Sequence, residues 1–285
     1  MTVDPLQVST VLAAGVVGLL AAWAVTLPVL RVKDLRPKAA RDAGAQLEGE
    51  HAVVVQAVLR HARCGACRHD CTHRDVAPVV GWRRRCPSCG AAQANYALPL
   101  QLATALASVV TVVTFPNLWA AVPLLWLGVV LAAVAVVDAR SWVIPKGLIW
   151  TGAAVGLVLI TVSSIGVGEP QLVLGALGGA VGAFALFFVL ALVGPMGFSD
   201  VRLSALLGLY LGWVGGSYGG VGAARMVLYG LLAGSLVGVV WGLVSRVRAG
   251  RRSAGRSVLG HHFAYGPALG IGALVVLWAH RLLLG

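Results

Sequence analysis

Long apolar runs separated by short polar stretches follow one another along most of the chain. Each run holds roughly 17 to 25 residues, the length of an α-helix that crosses the hydrocarbon core of a bilayer. We predict transmembrane helices at residues 8–30, 98–115, 118–137, 147–165, 171–193, 203–219, 222–245 and 264–283. The pattern therefore predicts an all-α integral membrane protein, a bundle of about eight transmembrane helices.

One long polar segment interrupts this pattern and divides the chain into three parts. Residues 31–97 are polar and basic, and they lie between the first and second predicted spans. We therefore predict a first transmembrane helix over 1–30, a small cytoplasmic insert over 31–97 and a polytopic membrane domain over 98–285. The insert is too short to bury a large core, so a stable fold there needs an added constraint such as a bound metal.

Composition supports a membrane protein, and the basic residues predict its orientation. Hydrophobic residues make up 59% of the chain, charged residues only 11%, and the mean hydropathy is +0.87. A soluble domain has about 25% charged residues. Of the 22 Lys and Arg residues, 20 fall in the insert or in loops that share its side of the predicted membrane. Basic residues stay on the cytoplasmic side during insertion, so these segments are predicted to face the cytoplasm.

The net charge of +12 fits this topology and contact with anionic lipid. It does not predict a nucleic-acid partner, because the basic insert offers only Trp82 and Tyr96 for stacking on bases. We therefore expect membrane lipid as a partner and no nucleic acid.

Two pairs of cysteines in the insert have the spacing of a zinc site. Cys64 and Cys67 form one CxxC pair, and Cys86 and Cys89 form another after 18 intervening residues. Four thiolates suit tetrahedral Zn²⁺ and leave no open position for catalysis. The reducing cytoplasm argues against disulfides. Reduced free thiols and a redox pair are the alternatives, and three nearby side chains could replace a ligand: His69, Cys71 and His73.

Two acids, Asp138 and Asp200, lie where predicted spans meet the cytoplasm. A charged side chain costs about 2.5 to 3.5 kcal/mol at the centre of a span and less near its ends, so such a residue usually serves a function. Two neighbouring carboxyl groups can share one proton, so that one activates a water while the other protonates a leaving amine. We predict that the pair is catalytic. The alternative is that each Asp only caps a helix end.

Glycines spaced four residues apart predict close helix packing. The pattern occurs in Gly175 and Gly179, Gly178 and Gly182, Gly208 and Gly212, and the series Gly230, Gly234, Gly238 and Gly242. In lipid, such residues let helix backbones approach each other. A transporter would instead use them in broken helices around a midplane site, but the predicted spans carry no matching charged residue at mid-depth.

The sequence around both acids resembles the type IV prepilin peptidases, a family of integral membrane aspartic proteases. Asp138 stands seven residues before Pro145 of an Ile-Pro pair, as the first Asp of that family does. Asp200 ends a segment that begins at Gly197 and resembles the family's GxGD motif. A hydrophobic residue, Arg202 and a leucine follow it, again as in the family.

The resemblance extends beyond the two acidic motifs. Gly266-Pro267 resembles the FGP-containing start of the family's last helix, and the paired cysteines match its cytoplasmic insert. Ser199 replaces the second glycine of the motif, and serine is small enough for the turn to survive. The first span reads Ala21-Ala-Trp-Ala-Val25 where members that also methylate have a GSFLN-like stretch.

The resemblance implies a bacterial inner-membrane aspartic endopeptidase whose active site faces the cytoplasm. It implies Asp138 and Asp200 as catalytic residues, with motif support or substrate contacts from Pro145, Gly197, Ser199, Arg202, Gly266 and Pro267. The implied substrates are type IV prepilins or pseudopilins, cut after a glycine and before an apolar residue. The family's second activity, methylation of the new amino terminus with S-adenosylmethionine, is left open by the missing stretch in the first span.

Two other classes of function remain as alternatives. A small-solute membrane transporter would need a polar path at mid-depth, where the predicted spans offer little beyond Ser and Thr. A membrane-anchored zinc-binding scaffold would use the cysteine insert to bind a partner and would need neither Asp138 nor Asp200.

Overall fold

The computed structural model describes residues 5–30, 67, 69, 86, 88–90, 97–141, 144–194, 197–250 and 265–285. All regular secondary structure in these residues is α-helical, which confirms the predicted class. The helices are α1 (Pro5–Leu30), α2 (Ala97–Thr114), α3 (Leu118–Ser141), α4 (Lys146–Gly166), α5 (Leu172–Val193), α6 (Phe198–Gly216), α7 (Gly219–Gly250), α8 (Gly266–Trp278) and α9 (His280–Leu284).

The helices α1 to α8 overlap the predicted apolar runs, and α9 follows α8 after a break at Ala279. Within the described ranges, four helical segments are long and apolar enough to cross a membrane: Leu118–Asp138, Lys146–Gly166, Leu172–Val193 and Gly219–Val244. Three further segments are apolar but shorter: Ser9–Ala22, Pro99–Thr114 and Gly266–Trp278. The chain is therefore a multi-pass membrane protein, and four of the predicted spans are both long enough and apolar enough to cross a bilayer.

The helices fall into two compact units. Met1–Ala121 and Gly128–Val143 form the first unit, and Val122–Leu127 and Ile144–Gly285 form the second. The first unit thus holds α1, α2 and most of α3, and the second holds α4 to α9.

In the first unit, α1 and α2 pack closely at Gly18. A Cβ atom on this residue would lie 2.6 Å from Ser108 Oγ and 2.8 Å from Ala105 Cα. Because the second obstacle is backbone, a larger side chain at this position would force the two helices apart.

In the second unit, α5 and α6 pack along two facing pairs of glycines. A Cβ atom on Gly179 would lie 2.7 Å from Gly212 Cα and would also meet the carbonyl oxygen of Gly208. A Cβ atom on Gly175 would lie 2.8 Å from the carbonyl oxygen of Gly212. These contacts confirm the predicted packing role of both pairs.

Other glycines with the same four-residue spacing do not all pack against a neighbouring helix. Gly178 and Gly182 are exposed, and a Cβ atom on either would meet nothing within 4 Å, so the packing predicted for this pair is wrong. The reason is that they lie on a different face of α5 from the contact with α6. On α7 the prediction is confirmed for Gly234, because a Cβ atom there would lie 2.7 Å from Leu269 Cα of α8, and Gly234 also meets Gly272.

Side-chain hydrogen bonds hold α6 against two neighbouring helices. Ser204 Oγ donates to the carbonyl oxygen of Ala183 on α5 at 3.2 Å. Trp213 Nε1 donates to Ser164 Oγ on α4 at 3.0 Å. In lipid, buried polar groups need such partners inside the protein. The helix α6, which has Asp200 in its first turn, is therefore fixed against α4 and α5.

Candidate active site

Asp200 lies in the first turn of α6, three residues after the N-cap residue Gly197. Its backbone amide donates to the Gly197 carbonyl oxygen at 3.0 Å, and its side chain is half-buried. The predicted sixth span began at residue 203, whereas the helix begins at Phe198, directly after the extended Gly197. Asp200 and Arg202 are therefore helical residues and do not lie in the turn before the helix. The helix dipole stabilises a negative charge at this end.

Gly197 leaves open space beside the Asp200 carboxyl group. A Cβ atom on Gly197 would lie 3.6 Å from Asp200 Oδ2 and 3.3 Å from Ser199 Oγ. Gly197 itself is exposed, and Ser199 is half-buried in the same turn. Any side chain at position 197 would thus stand directly beside the carboxyl group. The structure brings Gly197, Ser199, Asp200 and Arg202 together at the start of α6.

Asp138 lies in the last turn of α3, three residues before that helix ends at Ser141. Its side chain is only 5% exposed, and its neighbours Val136 and Val137 are buried as well. The helix dipole disfavours a negative charge at the C-terminal end of a helix. An N-cap residue lies at the opposite end, so helix capping does not account for Asp138.

Asp138 belongs to the first compact unit, whereas Asp200 belongs to the second. Each unit therefore presents one carboxyl group at the end of an apolar helix, and a shared active site stays a prediction. Pro145, predicted to support Asp138, is the N-cap residue of α4 in the second unit and is half-buried. Its carbonyl oxygen accepts a hydrogen bond from the Leu148 amide at 3.1 Å.

Gly266 and Pro267 are the first residues of α8, as predicted for the start of the last long helix. Proline is well accepted there, because the first amides of a helix have no partner within it. Tyr265 precedes them, and its hydroxyl donates to Ser235 Oγ of α7 at 2.9 Å. This hydrogen bond joins the start of α8 to α7.

The sequence analysis did not predict the contact between Tyr265 and Ser235. A signal existed for Tyr265, since a phenol directly precedes the Gly266-Pro267 motif. Nothing in the sequence marks Ser235, which is one serine within a long apolar helix. The contact between the two depends on how α7 packs against the start of α8.

Three cysteines of the insert lie close together in the first unit. The Sγ atoms of Cys67 and Cys86 are 3.5 Å apart, and those of Cys67, Cys86 and Cys89 all lie within 4.8 Å of one another. Tetrahedral Zn²⁺ with thiolate ligands holds sulfur atoms about 3.8 Å apart. Gly90 closes the second pair in a tight turn, with a φ of 67° and an amide that donates to the Cys86 carbonyl oxygen at 2.9 Å. The three thiols thus fit a zinc site, and Cys64, the fourth predicted ligand, lies outside the described residues.

Of the three predicted substitutes for a ligand, Cys71 and His73 also lie outside the described residues. His69 is exposed and is not a member of the cysteine group. A zinc ion bound by thiolates would hold the two cysteine turns together and would perform no chemistry on a substrate.

Comparison with known proteins identifies the family of the chain. The sequence profile of the type IV leader peptidase family matches residues 124–243. The matched region contains both Asp138 and Asp200, whereas the cysteine insert lies outside it. No solved structure shows a significant match.

Several curated relatives are similar over most of the chain, and each is a prepilin leader peptidase/N-methyltransferase. The protein of Aeromonas salmonicida strain A449 is 30% identical over 232 residues, which cover 75% of this chain and 70% of the relative. That of Aeromonas hydrophila is 31% identical over 232 residues, with the same coverage. That of Pseudomonas aeruginosa is 26% identical over 263 residues, which cover 90% of this chain and 84% of the relative. The chain therefore belongs to the type IV leader peptidase family and is a peptidase.

Proposed function

We propose that this peptidase removes the leader peptide from type IV prepilins or pseudopilins and that Asp138 and Asp200 form its catalytic pair. The observation that carries the proposal is the placement of these acids. Both fall in the matched family region, and each lies at the end of an apolar helix. The names of the relatives include prepilin as the substrate, and we propose the same substrate for this chain.

The two helix ends favour different protonation states for the two acids. Asp138 is buried at the C-terminal end of α3, where both burial and the helix dipole favour a neutral carboxyl group. Asp200 is half-buried at the N-terminal end of α6, where the dipole favours a carboxylate. In our proposal, Asp200 takes a proton from the attacking water while Asp138 donates a proton to the leaving amine.

The substrate would reach Asp200 across Gly197. The exposed glycine leaves room for an extended peptide next to the carboxyl group. Motif support is proposed for Ser199 and Arg202 on α6, and for Pro145, Gly266 and Pro267 at the starts of α4 and α8.

We further propose eight membrane spans, a zinc-binding insert over 31–97 and a peptidase domain over 98–285. The location would be the bacterial inner membrane, with the active site on the cytoplasmic side. Support comes from the overlap of α1 to α8 with the apolar runs and from the bias of 20 of the 22 basic residues towards one side. The zinc ligands would be Cys64, Cys67, Cys86 and Cys89, three of which fit such a site.

The relatives are also named N-methyltransferases. For this chain, such an activity would methylate the new amino terminus and would need S-adenosylmethionine as the methyl donor. The first span lacks the stretch expected of methylating members, so we propose peptidase activity alone as the core function and test methylation alongside it.

The test uses the full-length protein in detergent, a peptide with a basic leader followed by glycine, phenylalanine and an apolar segment, and S-adenosylmethionine. Mass spectrometry of the product reports leader loss and any added methyl group. Asp138→Asn and Asp200→Asn are expected to lose at least about 100-fold in rate, the scale of acid–base catalysis. Glu169→Gln is the matched control, since Glu169 is an exposed acid between α4 and α5 and should leave the rate unchanged.

Cleavage that survives in either Asp variant would contradict the catalytic pair. If the wild-type protein cleaves no pilin-like peptide, solute flux in proteoliposomes tests the transporter, and partner binding that depends on Cys86 but not on Asp138 tests the scaffold. Infrared spectroscopy tests the division of roles. The band of a protonated carboxyl group should disappear in Asp138→Asn and remain in Asp200→Asn, and the reverse result would exchange the two roles.

A further inference from the structure

Arg225 is the only charged residue of the membrane-capable segment Gly219–Val244 of α7. It is also one of the two basic residues outside the predicted cytoplasmic segments. Its side chain is exposed, and its guanidinium group has no ion-pair or hydrogen-bond partner within the described part of the chain. A charged group on the lipid-facing side of a span is costly unless it reaches water or an anion. Arg225 therefore needs a partner that these residues do not supply.

Arg225 lies close enough to one end of α7 for its side chain to reach the lipid headgroups. It is six positions after Gly219, a rise of about 9 Å along the helix axis. The headgroup region occupies about 5 to 7 Å on each side of a bilayer. With Gly219 at the membrane surface, the Arg225 backbone lies just inside the hydrocarbon core. Helical side chains tilt towards the N-terminal end of their helix, so the guanidinium group extends from there to the level of the phosphates.

Tyr229 adds a second hydrogen-bond donor on the same face of α7. It lies four residues after Arg225, which places the two side chains one above the other, and it is 36% exposed. A tyrosine near a membrane boundary keeps its ring in the apolar layer and turns its hydroxyl towards the polar one. A phosphodiester can accept two hydrogen bonds from the planar guanidinium group and one from the phenol. The pair therefore suits the phosphate of a lipid.

The same face of α7 continues as an apolar strip that suits an acyl chain. Leu232 and Leu236 follow Tyr229 at helical spacing, and they are 57% and 66% exposed. The helix contains no acidic residue, so no carboxylate on α7 would pair with the ammonium group of a zwitterionic headgroup. Positive charge without a nearby acid favours a lipid with a net negative charge.

We propose that Arg225 and Tyr229 bind the phosphodiester of an anionic diacyl phospholipid at the membrane boundary where α7 begins. Asp200 lies in the first turn of α6, whereas α7 begins just after α6 ends, so the lipid site lies at the opposite boundary from Asp200. The inference is therefore independent of the proposed peptidase mechanism. The bound lipid fixes the depth of α7, which packs closely on α6, since a Cβ atom on Gly215 would lie 2.7 Å from Ala223 Cα.

The test is native mass spectrometry of the delipidated full-length protein in detergent. The protein is titrated with dioleoylphosphatidylglycerol and, separately, with dioleoylphosphatidylcholine, and the wild type should bind the anionic lipid more tightly. Arg225→Gln should weaken the affinity for the first phosphatidylglycerol about fivefold, the effect of one basic residue at an anionic membrane surface. Arg281→Gln is the matched control, because it removes the same charge from another exposed arginine, which follows the apolar segment Gly266–Trp278. The control should bind as the wild type does.

Equal weakening in Arg225→Gln and Arg281→Gln would assign the binding to net charge and overturn the proposal. Equal affinity of the wild type for the two lipids would refute the anionic preference. Excess inorganic phosphate should leave the lipid bound, since the acyl chain adds apolar contact; displacement would show that the site holds a free anion and would also overturn the proposal.

Circular dichroism checks that each variant remains helical. If Arg225→Gln fails to fold, Tyr229→Phe decides, because it keeps every charge of the protein. It should weaken phosphatidylglycerol binding about two- to tenfold, the range of one hydrogen bond. Wild-type affinity in folded Tyr229→Phe would refute the two-residue site.

Discussion

Replacing Gly179 by alanine is expected to destabilise the protein, whereas the same change at its neighbour Gly178 is not. The new Cβ atom at position 179 would lie 2.7 Å from Gly212 Cα and would meet the carbonyl oxygen of Gly208, and both obstacles are backbone. Ordinary contact begins at 3.4 Å. The two helices would therefore have to separate by about 0.7 Å or more, and overpacking of this kind costs about 1 to 3 kcal/mol.

Gly178 provides a matched control on the same helix. It is exposed, and a Cβ atom there would meet nothing within 4 Å. We expect Gly178→Ala to stay within about 1 kcal/mol of the wild type, since only helix propensity changes. For Gly179→Ala the ratio of folded to unfolded protein should fall about 5- to 150-fold, as the expected free-energy loss requires.

The measurement is reversible unfolding in mixed micelles of a mild detergent and dodecyl sulfate, followed by tryptophan fluorescence, with peptidase activity as a second readout. Activity should fall in Gly179→Ala because α6, which carries Asp200, packs on this contact. Wild-type stability in Gly179→Ala would refute the close approach of α5 and α6. Equal losses of stability in both variants would point to a general effect of alanine on the helix or on its lipid contacts. That result would also contradict a specific clash between position 179 and α6.

Three further predictions concern single side chains. Gly197→Ala should fold normally and cleave more slowly, because the added methyl group would lie 3.6 Å from Asp200 Oδ2; an unchanged kcat/KM would contradict a substrate path over Gly197. Tyr210→Phe should keep or increase stability by about 1 kcal/mol, because the buried Tyr210 hydroxyl has no hydrogen-bond partner among the described residues. A clear loss in chemical unfolding would show that it has one. Cys86→Ser should reduce bound zinc, measured by mass spectrometry of the metal, from about one ion per chain, while folded protein keeps its kcat; wild-type zinc content would refute the site.

The sequence predicts the helices well because apolar runs determine which segments can enter lipid. It predicts less well which side of a helix makes contact. Gly178 and Gly179 have the same four-residue pattern, yet only Gly179 contacts α6. The choice depends on the rotation of α5 about its axis, which is set by the neighbouring helices. The bond between Tyr265 and Ser235 escaped prediction for a similar reason, since it joins residues 30 positions apart on different helices.

Helix boundaries were the weakest part of the prediction near the candidate site. The apolar pattern predicts a sixth span only from residue 203, because the polar residues at 199, 200 and 202 lower the local hydropathy. The helix nevertheless begins at Phe198, since extended Gly197 ends the preceding loop and the first turn accepts an acid well. A boundary based on hydropathy alone therefore excluded Asp200 from the helix whose dipole acts on it.

In the proposed mechanism, the role of each acid depends on which end of its own helix it occupies. Asp138 follows an apolar run and Asp200 precedes one, so the first lies at the C-terminal end of its helix and the second at the N-terminal end of its own. The sequence alone predicts this difference, because one acid comes after its apolar run and the other comes before its own. Burial strengthens it, because Asp138 is 5% exposed whereas Asp200 is half-buried. Two chemically identical side chains thereby have different surroundings. In the proposed catalytic pair these surroundings suit opposite tasks, because Asp138 would hold a proton and Asp200 would accept one, as peptide hydrolysis by a pair of acids requires.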